Sequence, residues 1–259
     1  MKIGAQGYTI REYAKTEADI AKSLKKISDI GYRYLQVSAF GPIDPHRLRE
    51  LADENKLQIV VTHTPPDRIL QETKQVIYEH DILGCRHVGI GCMPEKYTGS
   101  LEGLRAFLKD FSPAAKMLRE YGMKLQYHNH YWEYLRAEGK ALIDIMAEET
   151  DPEEWGFILD VYWTQYSGRC PAKQIWDLAG RIDVCHFKDL AMHGKEQRTA
   201  PVMEGNLSWE EIIPACQESG VAYAMVEQDD TYGKDPFEEL AVSYRNLQSK
   251  ILLPFPEEE

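Results

Sequence analysis

Four short polar signatures in the second half of the sequence have the residue types of a metal centre: Tyr127-His128-Asn129-His130, Leu159-Asp160, Cys185-His186-Phe187-Lys188-Asp189 and Val226-Glu227-Gln228-Asp229. Each closes a short apolar run, so imidazoles and carboxylates recur at corresponding places along the chain. Such donors, with no cysteine in the set, suit one divalent ion of borderline or hard character: Mn²⁺, Co²⁺, Zn²⁺ or Mg²⁺. The expected ligands are His128, Asp160, His186 and Glu227. Open positions on the ion would take two substrate oxygens, polarising a carbonyl and stabilising the enediolate left when a neighbouring C–H loses its proton. Taken singly, His128 also suits a satisfied interior histidine, Asp160 a helix cap and Glu227 a surface group. Their recurrence on successive run ends favours the ion.

Other candidates fall beside these. Lys188 lies two residues past His186, where an ammonium can stabilise enolate charge; a solvated ion pair with Asp189 is the competing use. His63 follows Gln58-Ile-Val-Val-Thr62 and is placed for substrate contact, although a histidine turning the chain before Pro65-Pro66 fits as well. Trp132, Glu133, Tyr162 and Trp163 suit a wall that stacks on a sugar, or plain packing. Glu204, in Met203-Glu204-Gly205-Asn206, is either a substrate contact or a solvated loop carboxylate. His46, His80, His87 and His193 carry no assigned chemistry.

Such chemistry needs a scaffold that gathers distant run ends. Eight apolar runs read as strands: Lys2 to Gly7, Tyr34 to Val37, Gln58 to Thr62, His87 to Ile90, Lys124 to Tyr127, Phe157 to Leu159, Val184 to Phe187 and Tyr223 to Val226. Amphipathic stretches separate them. Thr16 with Asp19 resembles a capping box, Asp44-Pro45 supplies a cap and a first-turn proline, and the first helix should bury Ile20, Leu24, Ile27 and Ile30. Gly31, Gly84, Gly122 and Gly220 stand where helices should end before the next strand. Parallel strands joined by right-handed helical crossovers predict an α/β fold, a (β/α)8 TIM barrel forming one domain over residues 1–259. The tail from Pro254 to Glu259 reads as a frayed end.

The composition narrows the function classes. With 30 Lys plus Arg against 42 Asp plus Glu, the formal charge of −12 disfavours nucleic acid. Five separated cysteines without a CxxC predict reduced thiols, and no secretory signal or membrane-length apolar run is present, so a cytoplasmic protein is expected. No GxGxxG or Walker loop predicts a nucleotide cofactor. A homo-oligomer is left open.

The motifs that carry these residues resemble the xylose-isomerase-like barrel superfamily, and in order and spacing a subgroup labelled sugar phosphate isomerase/epimerase. The resemblance rests on Tyr127-His128-Asn129-His130 with Trp132-Glu133-Tyr134, Leu159-Asp160-Val-Tyr-Trp163, His186-Phe-Lys188-Asp189, Glu204-Gly205-Asn206-Leu-Ser-Trp209 and Val226-Glu227-Gln228-Asp229. It implies the same four metal ligands. The superfamily also contains inosose dehydratases and endonuclease IV. Two departures are informative: His128 stands where ketose 3-epimerases carry a glutamate, and Trp163 where many relatives carry the histidine of Asp-x-x-His. The first is closer to enzymes that eliminate across a keto sugar, and the second weakens a multi-zinc endonuclease reading.

The expected function is therefore a metal-dependent isomerase or epimerase acting on a small keto sugar or polyol, its small-molecule partner. Glu227 or His130 would move the proton and Lys188 stabilise the oxyanion. A lyase or dehydratase shares most of this machinery. An endonuclease-like phosphodiesterase and a non-catalytic sugar-binding barrel are further alternatives. Arg11, Arg169 and Arg198 are loosely placed as phosphate anchors, and an unphosphorylated sugar is expected.

Overall fold

The computed structural model describes residues 1–250; the tail from Pro254 to Glu259 lies outside the described residues. Eight parallel strands close into a barrel: β1 (Lys2–Gln6), β2 (Tyr34–Val37), β3 (Gln58–His63), β4 (His87–Ile90), β5 (Lys124–His128), β8 (Trp155–Asp160), β9 (Ile182–Phe187) and β12 (Tyr223–Val226). Two small antiparallel hairpins interrupt the alternation, β6 (Arg136–Ala137) with β7 (Lys140–Ala141) and β10 (Asp189–His193) with β11 (Glu196–Ala200). Closure comes from β1 lying beside β12, with Ala5 opposite Val226.

The crossovers carry α1 (Glu17–Ile30), α2 (Pro45–Glu54), α3 (Pro66–Gln71), α4 (Thr73–Leu83), α5 (Leu101–Glu120), α6 (Leu142–Glu149), α7 (Val161–Tyr166), α8 (Pro171–Asp177), α9 (Trp209–Glu218) and α10 (Pro236–Lys250). Local chemistry starts and stops them as expected. Thr16 Oγ1 accepts from Asp19 N at 3.2 Å, and Asp44 Oδ1 accepts from His46 N at 2.9 Å. α1 buries Ile20, Leu24 and Ile27 fully and Ile30 in part. Gly84 closes α4 in the left-handed conformation that a side chain would strain.

Two cores result. The larger lies between helices and barrel; Phe107 and Phe111 of α5, for example, are fully buried, each worth about 1.5–3 kcal/mol of transfer energy. The smaller gathers Val60, Val61, Ile158, Val184 and Met225 from strands that are not all neighbours, so it fills the barrel's interior. Glycine makes room there: a Cβ on Gly89 would lie 2.8 Å from Ile158 Cδ1.

Candidate metal centre and its cavity

All strands of a closed parallel barrel point the same way, so their C-terminal ends meet on one face. β5 ends in His128, β8 in Asp160 and β9 in Phe187 just past His186, while Glu227 directly follows β12. Each of these four buried residues offers a donor atom, and the donors lie within 4.8 Å of one another.

Hydrogen bonds aim the donors. His128 Nδ1 donates to Gly91 O at 2.9 Å, because a carbonyl can only accept, and this aims Nε2 at Asp160 Oδ2, 3.3 Å away, the nitrogen that would offer its lone pair to a bound ion. His186 Nε2 meets Gln36 Oε1 at 2.8 Å, which frees Nδ1, 3.0 Å from Glu227 Oε2 and without a well-directed hydrogen bond of its own. Gln6 Nε2 donates to Glu227 Oε1 at 2.6 Å. Asp160 is a cap and a candidate ligand together: Oδ1 accepts from Trp163 N at 3.1 Å at the start of α7, while Oδ2 faces the imidazoles. Bare imidazole nitrogens turned toward buried carboxylates repel unless a cation or a proton sits between them, so the donor set fits a divalent ion.

Electrostatics at the centre are dominated by burial and by these contacts. Burial favours the neutral acids, yet Lys188 and the imidazoles hold Asp160 and Glu227 well below the usual carboxylate range. Burial pulls His186 down, but Glu227 and Asp160 push it up to about 9 in the absence of an ion. Lys188 is buried, its Nζ 2.6 Å from Asp229 Oδ2, 3.4 Å from Glu227 Oε2 and 3.5 Å from Asp160 Oδ2. It does not pair with Asp189, which instead accepts from the backbone N–H groups of Leu190, Met203, Gly205 and Leu207 and from Trp209 Nε1 at 2.6 Å.

A cavity of about 490 Å³ opens over the centre, and His63, His128, His130, Trp163, Lys188, Glu227 and Asp229 line it. His63 sits 5.1 Å from the His128 ring and 5.6 Å from the His186 ring, with Ser38 Oγ 3.1 Å from its Nδ1. Burial and the neighbouring imidazoles hold it far below its ordinary value. His130 stacks on Trp132 at 4.5 Å, and burial, with His128 next, lowers it to about 3. Trp163 lies under Lys188, 5.0 Å from Nζ to ring centroid.

Two expected substrate contacts are not brought to this cavity. Glu133 lies behind the wall, where Oε2 accepts from His130 N at 2.9 Å and Oε1 from the Tyr127 hydroxyl; it is buried and holds the turn after β5. Glu204 is exposed and accepts from Asn246 Nδ2 at 2.7 Å, because the turn around Asp189 directs it toward α10. The arginines are engaged elsewhere: Arg11 covers the Tyr8 ring, Arg169 pairs with Asp144, and Arg198 lies over Tyr232. Gln6, Gln36, Ser38 and Asp229 went unassigned in the sequence. Gln6 ends β1, Gln36 is the penultimate residue of β2 and Ser38 follows it, so these three stand on the face where the candidate ligands meet.

Fold and centre together define the class: a closed parallel barrel with a buried, cation-ready donor cluster at its C-terminal face. The chain belongs to the family of the xylose isomerase-like TIM barrel, whose profile matches residues 24–247. Among solved structures, a sugar phosphate isomerase/epimerase from Parabacteroides distasonis ATCC 8503 is similar at 21% identity, covering 96% of this chain and 94% of that one, with a TM-score of 0.83. An L-ribulose 3-epimerase is similar at 16% identity, covering 96% and 94%, with a TM-score of 0.72. The probable 3-DHS dehydratase AsbF from Bacillus anthracis is similar at 13% identity, covering 96% and 100%, with a TM-score of 0.74. At these identities the likeness shows the fold. No curated protein matches the chain in sequence at a significant level.

Proposed function

We propose that this chain is a divalent-metal-dependent enzyme that removes a proton next to the carbonyl of a small keto sugar or polyol. The observation that carries the reading is the convergence of His128, Asp160, His186 and Glu227 beneath a cavity that also holds an ammonium and two further imidazoles. The names of similar folds, isomerase/epimerase, 3-epimerase and probable dehydratase, support a reaction of this type. His128, Asp160, His186 and Glu227 would hold the ion, which when bound supplies Lewis acidity at a substrate oxygen.

The chain's own groups do the rest. Both carboxylate oxygens of Glu227 are engaged, Oε1 by Gln6 and Oε2 by His186 and Lys188, which leaves His130 as the freer base. Its Nδ1 has no hydrogen-bond partner, and the ring is neutral at physiological pH. A base this weak needs a C–H acidified by polarisation of the adjacent carbonyl, and Lys188 is the side chain placed to stabilise the negative charge that develops on that oxygen as the proton leaves. Trp163 supplies an apolar face for a sugar ring.

Elimination is the second reading: a lyase needs one base to start, whereas an epimerase returns the proton to the opposite face, and the wall carboxylates Glu227 and Asp229 are both engaged, Glu227 by Gln6, His186 and Lys188 and Asp229 by Lys188. A phosphodiesterase would need several ions and a basic rim, while one four-donor cluster gathers among the described residues. The experiment is proton exchange in D₂O, followed by NMR across a panel of keto sugars, with chelated protein and with Mn²⁺ or Co²⁺ restored. Deuterium should enter beside the carbonyl only with metal and His130 intact. Exchange that survives chelation, or no exchange with any sugar, contradicts the reading.

A further inference from the structure

The described residues lining the cavity include one side chain with a fixed positive charge, Lys188. Its ammonium is already committed to Asp229, Glu227 and Asp160, at 2.6, 3.4 and 3.5 Å. A divalent ion among the ligands would only neutralise this cluster of three carboxylates and one ammonium. Elsewhere the wall is uncharged, formed in part by Tyr8, Ser38, Thr64, Pro65, Pro66 and Cys92. None of the arginines expected from loop position lines it; Arg11, for instance, donates to Tyr8 O at 2.9 Å and lies over that ring, 4.1 Å from its centroid.

A phosphate ester carries about −1.5 to −2 charge at neutral pH. In this cavity it would meet carboxylates and a single ammonium already shared among three of them, so its charge of nearly two would face like charge that nothing else in the wall offsets. Asp229 makes the difference. It stands outside the ligand set, its side chain is 32% exposed at the cavity wall, and it makes the shortest contact to the one ammonium a phosphate could use.

We propose that the site takes an uncharged sugar and rejects the corresponding phosphate ester, and that Asp229 is the specificity-determining residue, because it holds Lys188 away from a phosphate and adds its own negative charge. The inference rests on the sugar reading above. Ser38 and Thr64 hydroxyls and the Trp163 face suit the hydroxyls and apolar face of a neutral ring.

Binding calorimetry on the full-length Co²⁺-loaded chain tests this, with 2-ketohexoses and 3-keto-glucosides each compared with its own 6-phosphate. The neutral member of a recognised pair should bind about thirty-fold or more tightly. In Asp229→Asn the preference should narrow by about tenfold through a gain in phosphate affinity, with an unchanged circular dichroism spectrum and a cooperative thermal transition as the check on folding. A phosphate ester that binds as well as its parent overturns the inference and leaves the sugar reading standing. Undiminished discrimination in a folded Asp229→Asn removes the role of Asp229. Failure of every pair to bind overturns the sugar reading and the inference together. The wild-type comparison decides the substrate class on its own, whatever the variant does.

Discussion

Gly91 and Gln36 decide which nitrogen of each candidate ligand histidine is free, and so which way its lone pair points. Removing such an orienting partner typically costs 10–100-fold in metal affinity. Gln36→Ala should therefore weaken Co²⁺ binding by about 10–100-fold in a competition titration while leaving the fold intact; unchanged affinity would show that the amide does not orient His186. Glu133 yields a second expectation. Burial raises its carboxyl from the ordinary 4.5 to about 7, the hydrogen bond from Tyr127 only partly opposing this. The folded chain thus keeps a proton that the unfolded chain releases, so stability falls as pH rises from about 4.5 to about 7 and then levels off. In urea titrations Glu133→Gln should gain roughly 2–3 kcal/mol relative to the parent between pH 5 and pH 8. A pH-independent difference between the two proteins would contradict the assignment.

At the scale of elements, the loop that follows β9 depends on one carboxylate. Asp189 collects four backbone N–H groups and the Trp209 indole, tying β10, the turn at Met203 to Leu207 and the start of α9 to the barrel. Asp189→Asn replaces an acceptor with a donor facing N–H groups, and should cost about 2–3 kcal/mol in chemical denaturation and speed proteolysis within residues 201–208; an unaltered midpoint would mean the turn stands without it. The barrel elements were legible because caps and periodicity agree: Thr16, Asp44 and Gly84 do locally what their types predict. The hairpins were not anticipated, although their turns carry the signal. Glu138-Gly139 between β6 and β7 has positive φ at both residues, and Gly194-Lys195 between β10 and β11 has it at the glycine. Two-residue strands such as β6 and β7 are too short for alternation to show, and the polar strand ends of β10 and β11 mask it.

For the whole molecule, the donors came into view from sequence because imidazole and carboxylate announce their chemistry. Glutamines do not. Gln6 reaches Glu227 only because β1 pairs with β12 across the length of the chain, a contact that no local pattern encodes. The sequence left Glu133 and Glu204 open between substrate contact and packing or solvent for the same reason, since their partners Tyr127 and Asn246 are set by packing and loop path. An ion bound by β5, β8, β9 and the end of β12 would tie half the barrel together and stabilise the folded state by about 2.7 kcal/mol at a hundred times its Kd. The melting temperature should then rise by about 5–10 °C on adding Co²⁺ to chelator-stripped protein, and the rise should vanish in His128→Ala; an equal rise in that variant would place the ion elsewhere. Most direct of all is an anomalous difference map from crystals soaked in Mn²⁺ or Co²⁺. A single strong peak bonded to His128 Nε2, Asp160 Oδ2, His186 Nδ1 and Glu227 Oε2 is the predicted result; density at another site, or none in a well-ordered soaked crystal, would contradict the account.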